Sequence, residues 1–100
     1  MPLTESVFFK AVLQRENRIQ VPRLFRWQYK MEACEVLRVS VRVEGGFVDE
    51  GFLARMTKDG RLTVPKLTLK LLREGEEKSL EGCVLEVTVE PADEQVKSRG

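Results

Sequence analysis

The chain has 100 residues, 42% of them apolar and 33% charged, and a net charge of only +1. This is the composition of a globular chain of one-domain length, able to bury about two-thirds of the surface its unfolded form exposes. Histidine is absent, which excludes Ser-His-Asp and Cys-His catalysis and histidine ligation of a metal.

In chain order, FFKAVLQ (8–14) reads as a short, apolar-rich strand. Asn17 stands in the turn after it, and asparagine tolerates positive φ. RIQV (18–21) alternates as a return strand and ends at Pro22, which suits the first position of a helix over about 22–31. Phe25 and Tyr29, one turn apart, give that helix an apolar face. VLRVSVRV (36–43) sets Leu37, Val39, Val41 and Val43 against Arg38, Ser40 and Arg42, a strand with one buried and one wet face. EGGFVDEG (44–51) is a connection. FLARMT (52–57) is another short strand, and Asp59-Gly60 predicts a two-residue type I′ turn into RLTV (61–64). Pro65 then opens a helix over about 65–73, with Leu67, Leu71 and Leu72 at helical spacing and Gly75 as its cap. VLEVTVE (84–90) alternates Leu85, Val87 and Val89 against Glu86, Thr88 and Glu90. The remaining PADEQVKSRG (91–100) is a polar tail expected to be flexible.

The second half repeats the first. An offset of 43 superposes Phe9 on Phe52, Ala11 on Ala54, Arg18 on Arg61, Val21 on Val64, Pro22 on Pro65 and Leu24 on Leu67. Beyond the helices the offset becomes 48, placing Leu37, Val39 and Val41 on Leu85, Val87 and Val89, with the five-residue insertion inside REGEEKSLEGC. Two copies are too few for a solenoid, so they predict a fused pseudo-dimer sharing one core. Between copies the wet-face charges invert, Arg38 over Glu86 and Arg42 over Glu90. If the two long strands lie side by side, these charges meet as opposite pairs.

The expected fold is therefore mainly β with two short helices, from tandem β-β-α-β repeats. Six short strands leave vulnerable edges unless they close into a small barrel. Residues 1–90 form this single domain, with repeats at 7–44 and 51–90, followed by the tail. Cys34 and Cys83 make no CxxC pair; they read as buried reduced thiols, with a disulfide as the alternative. No apolar run approaches the ~18 residues of a membrane span. The start, MPLTESVFF, lacks the regions of a signal peptide, so a cytoplasmic protein with no membrane partner is expected.

The pattern of turn, arginine, alternating strand, Val-Pro, basic residue and later leucine, best seen in RLTVPKLTLKLLREGEE (61–77), resembles the AbrB/SpoVT-type transition-state regulators. That family forms swapped-hairpin barrels in which two one-repeat chains make a DNA-binding dimer. The resemblance covers roughly 8–43 and 52–90, but the connecting segment has little room for the family's further hairpin strand. Two copies in one chain look more like the RIFT and double-psi barrels of the same cradle-loop group. In length and repeat layout the chain is similar to a small archaeal RIFT-barrel protein. The resemblance implies a six-stranded pseudo-twofold cradle-loop barrel.

Charge is segregated along the chain. Residues 10–30 hold six basic side chains against one acidic, and residues 53–73 hold the same ratio. The rest of the chain has five basic and fourteen acidic residues. A basic surface on the two hairpin–helix units is the footprint expected of a phosphate-backbone binder. The resemblance implies that Arg15, Arg18, Arg23, Arg26, Lys58, Arg61, Lys66 and Lys70 face DNA. Two readings stand at this point: a DNA-binding protein of regulator type, and a ligand- or protein-binding module whose basic helix faces are merely solvated or paired with acidic loops. Trp27 and Tyr29 lie within the first basic segment, where aromatics can stack on bases, although Tyr29 also fits the core. Glu74, Glu76 and Glu77 read as solvated loop carboxylates, and no Gly-rich phosphate loop is present. No enzyme activity, catalytic residue, metal ligand or cofactor is assigned. A monomer is expected, with DNA or another protein as partner.

Overall fold

The structure, a computed structural model, describes residues 3–73 and 78–92. Its elements are β1 (Val7–Val12), β2 (Arg18–Gln20), α1 (Arg23–Gln28), β3 (Val36–Val43), β4 (Asp49–Arg55), β5 (Arg61–Thr63), α2 (Lys66–Leu72) and β6 (Val84–Pro91). This is β-β-α-β written twice. The strands form an antiparallel sheet in the order β1-β6-β3-β4 and a two-stranded ribbon of β2 with β5. Among the described residues no continuous ring of six strands closes through these ladders. The expected cap Gly75 and the tail from residue 93 lie outside the described residues.

Strand register carries the repeat into three dimensions. In the β3–β6 pair Ser40 faces Thr88, and in the ribbon Ile19 faces Leu62. Each is a pair of equivalent residues from the two copies, so a pseudo-twofold axis passes through both sheets at these points. The outer ladders obey it as well, because Phe9 faces Val87 where Phe52 faces Val39. So do the loops. Val21 N–H donates to the Gly60 carbonyl at 2.8 Å, and Val64 N–H donates to the Asn17 carbonyl at 2.7 Å. Each return strand thus ends against the other copy's turn.

Between sheet and ribbon lies one core. Leu37, Val39 and Val41 of β3, Leu85, Val87 and Val89 of β6, and Ile19, Val21, Leu62 and Val64 of the corners are essentially inaccessible. Alternation decides this: every second residue of each strand points inward, and those positions are aliphatic. Phe25 packs edge-on to Phe9 and to Tyr29, both with ring centroids 6.0 Å apart, which closes the core over α1.

The outward face of the large sheet is neutralised by its own charges. Arg38 faces Glu90 and Arg42 faces Glu86, as the inverted signs predicted. Arg42 Nη2 lies 2.9 Å from Glu86 Oε1, and Arg42 Nε lies 3.6 Å from Asp49 Oδ1 on β4. Arg38 Nη1 is 3.9 Å from Glu90 Oε1. Lys10 on β1 donates to Glu44 at 2.8 Å, and that hydrogen bond raises its pKa above the usual 10.5. These pairs are largely exposed to solvent, which screens them, so they add little to stability.

Several local expectations are corrected. The turn at Asp59-Gly60 is a three-residue loop, because Asp59 keeps negative φ and only Gly60 is left-handed, at φ +81°. Gly60 N–H bonds the Thr57 carbonyl at 2.9 Å and Thr57 N–H bonds that of Arg61 at 3.0 Å, a type I turn with a bulge. In the first copy Glu16 and Asn17 are both left-handed, at φ 62° and 60°. Pro22 and Pro65 occupy N-cap positions with extended ψ, one residue before the helices. The buried side of α2 is Thr68, Leu69 and Leu72, leaving Leu67 and Leu71 exposed. The leucine run offers two faces, and packing under β4 selects the one containing Leu69. Without a glycine, α1 ends on Lys30 at φ 55°, with Met31 N–H bonded to the Arg26 carbonyl at 2.9 Å, a Schellman cap. The cysteines are free but not buried. Cys34 is exposed in the turn before β3, left-handed like its equivalent Gly82, and Cys83 is half-buried.

Two predictions follow from this packing. Leu37→Ala and Leu85→Ala each cost about 2–5 kcal/mol in urea unfolding and agree within about 1 kcal/mol, because they are equivalent positions in one core. Gly60→Ala costs about 1–2 kcal/mol, since a Cβ there sits in left-handed backbone and meets the Arg26 guanidinium; Asn17→Gly is neutral or mildly stabilising.

Candidate nucleic-acid interface

At the ribbon end of the axis the charge balance reverses. Ile19 and Leu62 point inward, so Arg18 and Gln20 of β2 and Arg61 and Thr63 of β5 make up the outer face. Arg18 and Arg61 are equivalents, set diagonally about the axis. Arg18 is paired with Glu16 at 3.0 Å, and Arg61 Nε donates to Gln20 Oε1 at 3.2 Å. Gln20 Nε2 in turn donates to the Asp59 carbonyl at 2.7 Å, fastening the second turn to the first copy's strand. Arg15 and Lys58 stand exposed in the two turns beside this ribbon, and Arg23 and Lys66 are the first, exposed residues of the helices that leave it.

Each helix and the loop after it bound a cleft, and the two helices are equivalents. The first is lined by Arg23, Arg26, Trp27, Lys30 and Met31, with Glu32 at its edge. The second is lined by Lys66, Leu69 and Arg73, with Asn17, Ser79 and Leu80. Arg26 lies against Gly60 of the opposite copy's turn, where a Cβ would meet its guanidinium. Arg26 and Arg73 each have a buried Nε with no hydrogen-bond partner among the described residues.

Of the eight expected residues, the structure gathers Arg18 and Arg61 on the ribbon and Arg23 and Arg26 in the first cleft, and sets Lys66 in the second. Arg15, Lys58 and Lys70 are exposed outside both clefts. Only Arg18 has a carboxylate partner among the described residues. By contrast, Lys10, Arg38 and Arg42 of the sheet face are paired with carboxylates, whereas Arg55 of β4 donates to the Cys34 carbonyl. Gln20, Lys30 and Arg73 were not among the expected site residues. A sequence signal existed for the last two, since both are basic residues at equivalent positions just past a helix. Gln20 had none, because its role depends on the other copy's turn. Tyr29 packs in the core as anticipated, whereas Trp27 is 77% exposed.

Among the described residues no group of three Cys, Asp or Glu side chains converges as a metal site requires, and no helix is long and apolar enough to cross a membrane.

No family model and no curated protein matches the chain. Among solved structures it is similar to the solution structure of PHS018 from Pyrococcus horikoshii, with a TM-score of 0.62 and 24% identity over 89% of this chain and 91% of that one. At this identity the likeness shows a common mainly-β fold spanning nearly the whole of both chains.

Proposed function

We propose that this chain is an AbrB-like DNA-binding protein, of transcription-regulator type, that grips the phosphate backbone with its ribbon end. The observation that carries the reading is the uneven neutralisation of its cations. Seven of the eight candidate site residues lack a carboxylate partner among the described residues, while Lys10, Arg38 and Arg42 on the sheet face each have one. Unpaired arginines and lysines on a twofold-related surface suit two phosphate tracks. Arginine at positions 18, 23, 26 and 61 adds the geometry to reach base edges.

The same reading takes sheet and ribbon as walls of one six-stranded cradle-loop barrel, closed at the β1–β2 and β4–β5 hairpins, and the chain as a monomeric pseudo-dimer. The matched hairpin hydrogen bonds and the shared core support this. A second reading, a non-enzymatic RIFT-type module that binds another protein, draws on the exposed Leu24, Leu67 and Leu71 of the helices.

A salt titration separates them. Binding to mixed-sequence duplex DNA is expected to weaken steeply as salt rises, and the double variant Arg18→Ala/Arg61→Ala reduces the log–log slope by about 2. Absence of binding at about 50 mM salt rejects the DNA reading and leaves the module.

A further inference from the structure

The two clefts follow equivalent helices but differ in lining: the second has Leu69 where the first has Arg26, and an aromatic ring lines only the first. Trp27 projects from α1 with 77% of its surface exposed, and its equivalent on α2 is Lys70. An indole so exposed contributes little to the core. Around it, in the same cleft, stand Arg23, Arg26 and Lys30. None of the three has a carboxylate partner among the described residues. Arg26 packs against Gly60 of the opposite copy's turn, and the backbone of Lys30 forms the Schellman cap beside the ring.

A flat aromatic face flanked by cations is an arrangement that binds an unpaired base and its adjoining phosphates. In a duplex the bases are stacked on each other and present no free face, so Trp27 has nothing to do on the intact double helix. We propose that this cleft is a single-stranded nucleic-acid site in which Trp27 stacks on one unpaired base while Arg23, Arg26 and Lys30 hold the neighbouring phosphates. The second cleft, lined by Lys66, Leu69 and Arg73, supplies charge without a stacking platform, and Lys70 lies outside it. The chain therefore engages single strands asymmetrically, through its first repeat. The inference deepens the nucleic-acid reading above and rests on it for the source of the phosphates.

Trp27 is the only tryptophan in the chain, so its fluorescence reports the site directly. Oligothymidine of about twelve residues, a length within the range one small domain covers, is titrated into the intact protein at low salt. Duplex binding is followed in parallel by anisotropy. Stacking predicts saturable quenching that salt reverses, about tenfold weaker oligothymidine binding for Trp27→Ala, near-full retention for Trp27→Phe, and unchanged duplex binding for both. At its exposed position Trp27 can be replaced without loss of fold, which circular dichroism checks. If duplex binds but oligothymidine neither quenches Trp27 nor loses affinity in Trp27→Ala, the inference is overturned and the duplex reading stands. If oligothymidine quenches and duplex does not bind, the inference stands and the duplex reading falls. If neither binds, both fall.

Discussion

Everything in this molecule is hung on the antiparallel pairing of β3 with β6, centred on Ser40 and Thr88. Because these two residues are equivalents, the pairing joins the two repeats about an axis rather than stacking them in a row. A shift of one residue would turn Leu37, Val39, Val41, Leu85, Val87 and Val89 out of the core together. The same shift would break the meeting of Arg38 with Glu90 and Arg42 with Glu86. Burial on one face and charge pairing on the other thus select one register. Burial supplies nearly all of the energy, since each aliphatic side chain contributes about 1.5–3 kcal/mol and each half-exposed ion pair under about 1 kcal/mol.

From that pairing the functional geometry follows. With β3 and β6 central, β1 and β4 flank them, and each hairpin carries its return strand across the axis to meet the other. The corners at Val21-Pro22 and Val64-Pro65 then send the helices away from the ribbon. The helix cations are placed by these corners, while Lys10, Arg38 and Arg42 of the sheet stand opposite acids. Charge segregation along the sequence becomes segregation between two ends of the axis. The cross-copy contacts, Gln20 to the Asp59 carbonyl and Arg26 against Gly60, make the basic end a joint product of both repeats.

Most of the architecture was legible in the residues. Strict alternation identifies β3 and β6, and Val-Pro identifies both strand-to-helix corners, because proline removes a donor and fixes φ wherever it stands. What was not legible depends on contacts between distant parts. The α2 segment has leucines at 67, 69, 71 and 72, which fit two faces equally, and only packing chooses between them. The turn at Asp59 needs positive φ at one residue rather than two, a distinction set by how the bulge joins β4 to β5. Cys34 looked like a strand-entry core residue but falls in a left-handed turn. For the site, the identity of the basic residues was plain, yet their state of neutralisation was not. Arg18 is paired with a neighbour two residues away, whereas Arg26 packs against a glycine in the opposite copy. The offset of 43 already sets Lys70 where the first repeat has Trp27, but that Trp27 lines a cleft and Lys70 does not emerges only from the packing.

The central claim, that the two repeats pair with each other inside one chain about Ser40 and Thr88, is open to a direct measurement. Interstrand nuclear Overhauser contacts are recorded on a uniformly labelled sample and, with isotope filtering, on a mixture of labelled and unlabelled chains. The account predicts contacts linking Arg38 with Glu90, Ser40 with Thr88 and Arg42 with Glu86 in the first experiment, and none of them in the filtered one. Contacts displaced by a residue, or the same contacts appearing between labelled and unlabelled chains, would contradict it.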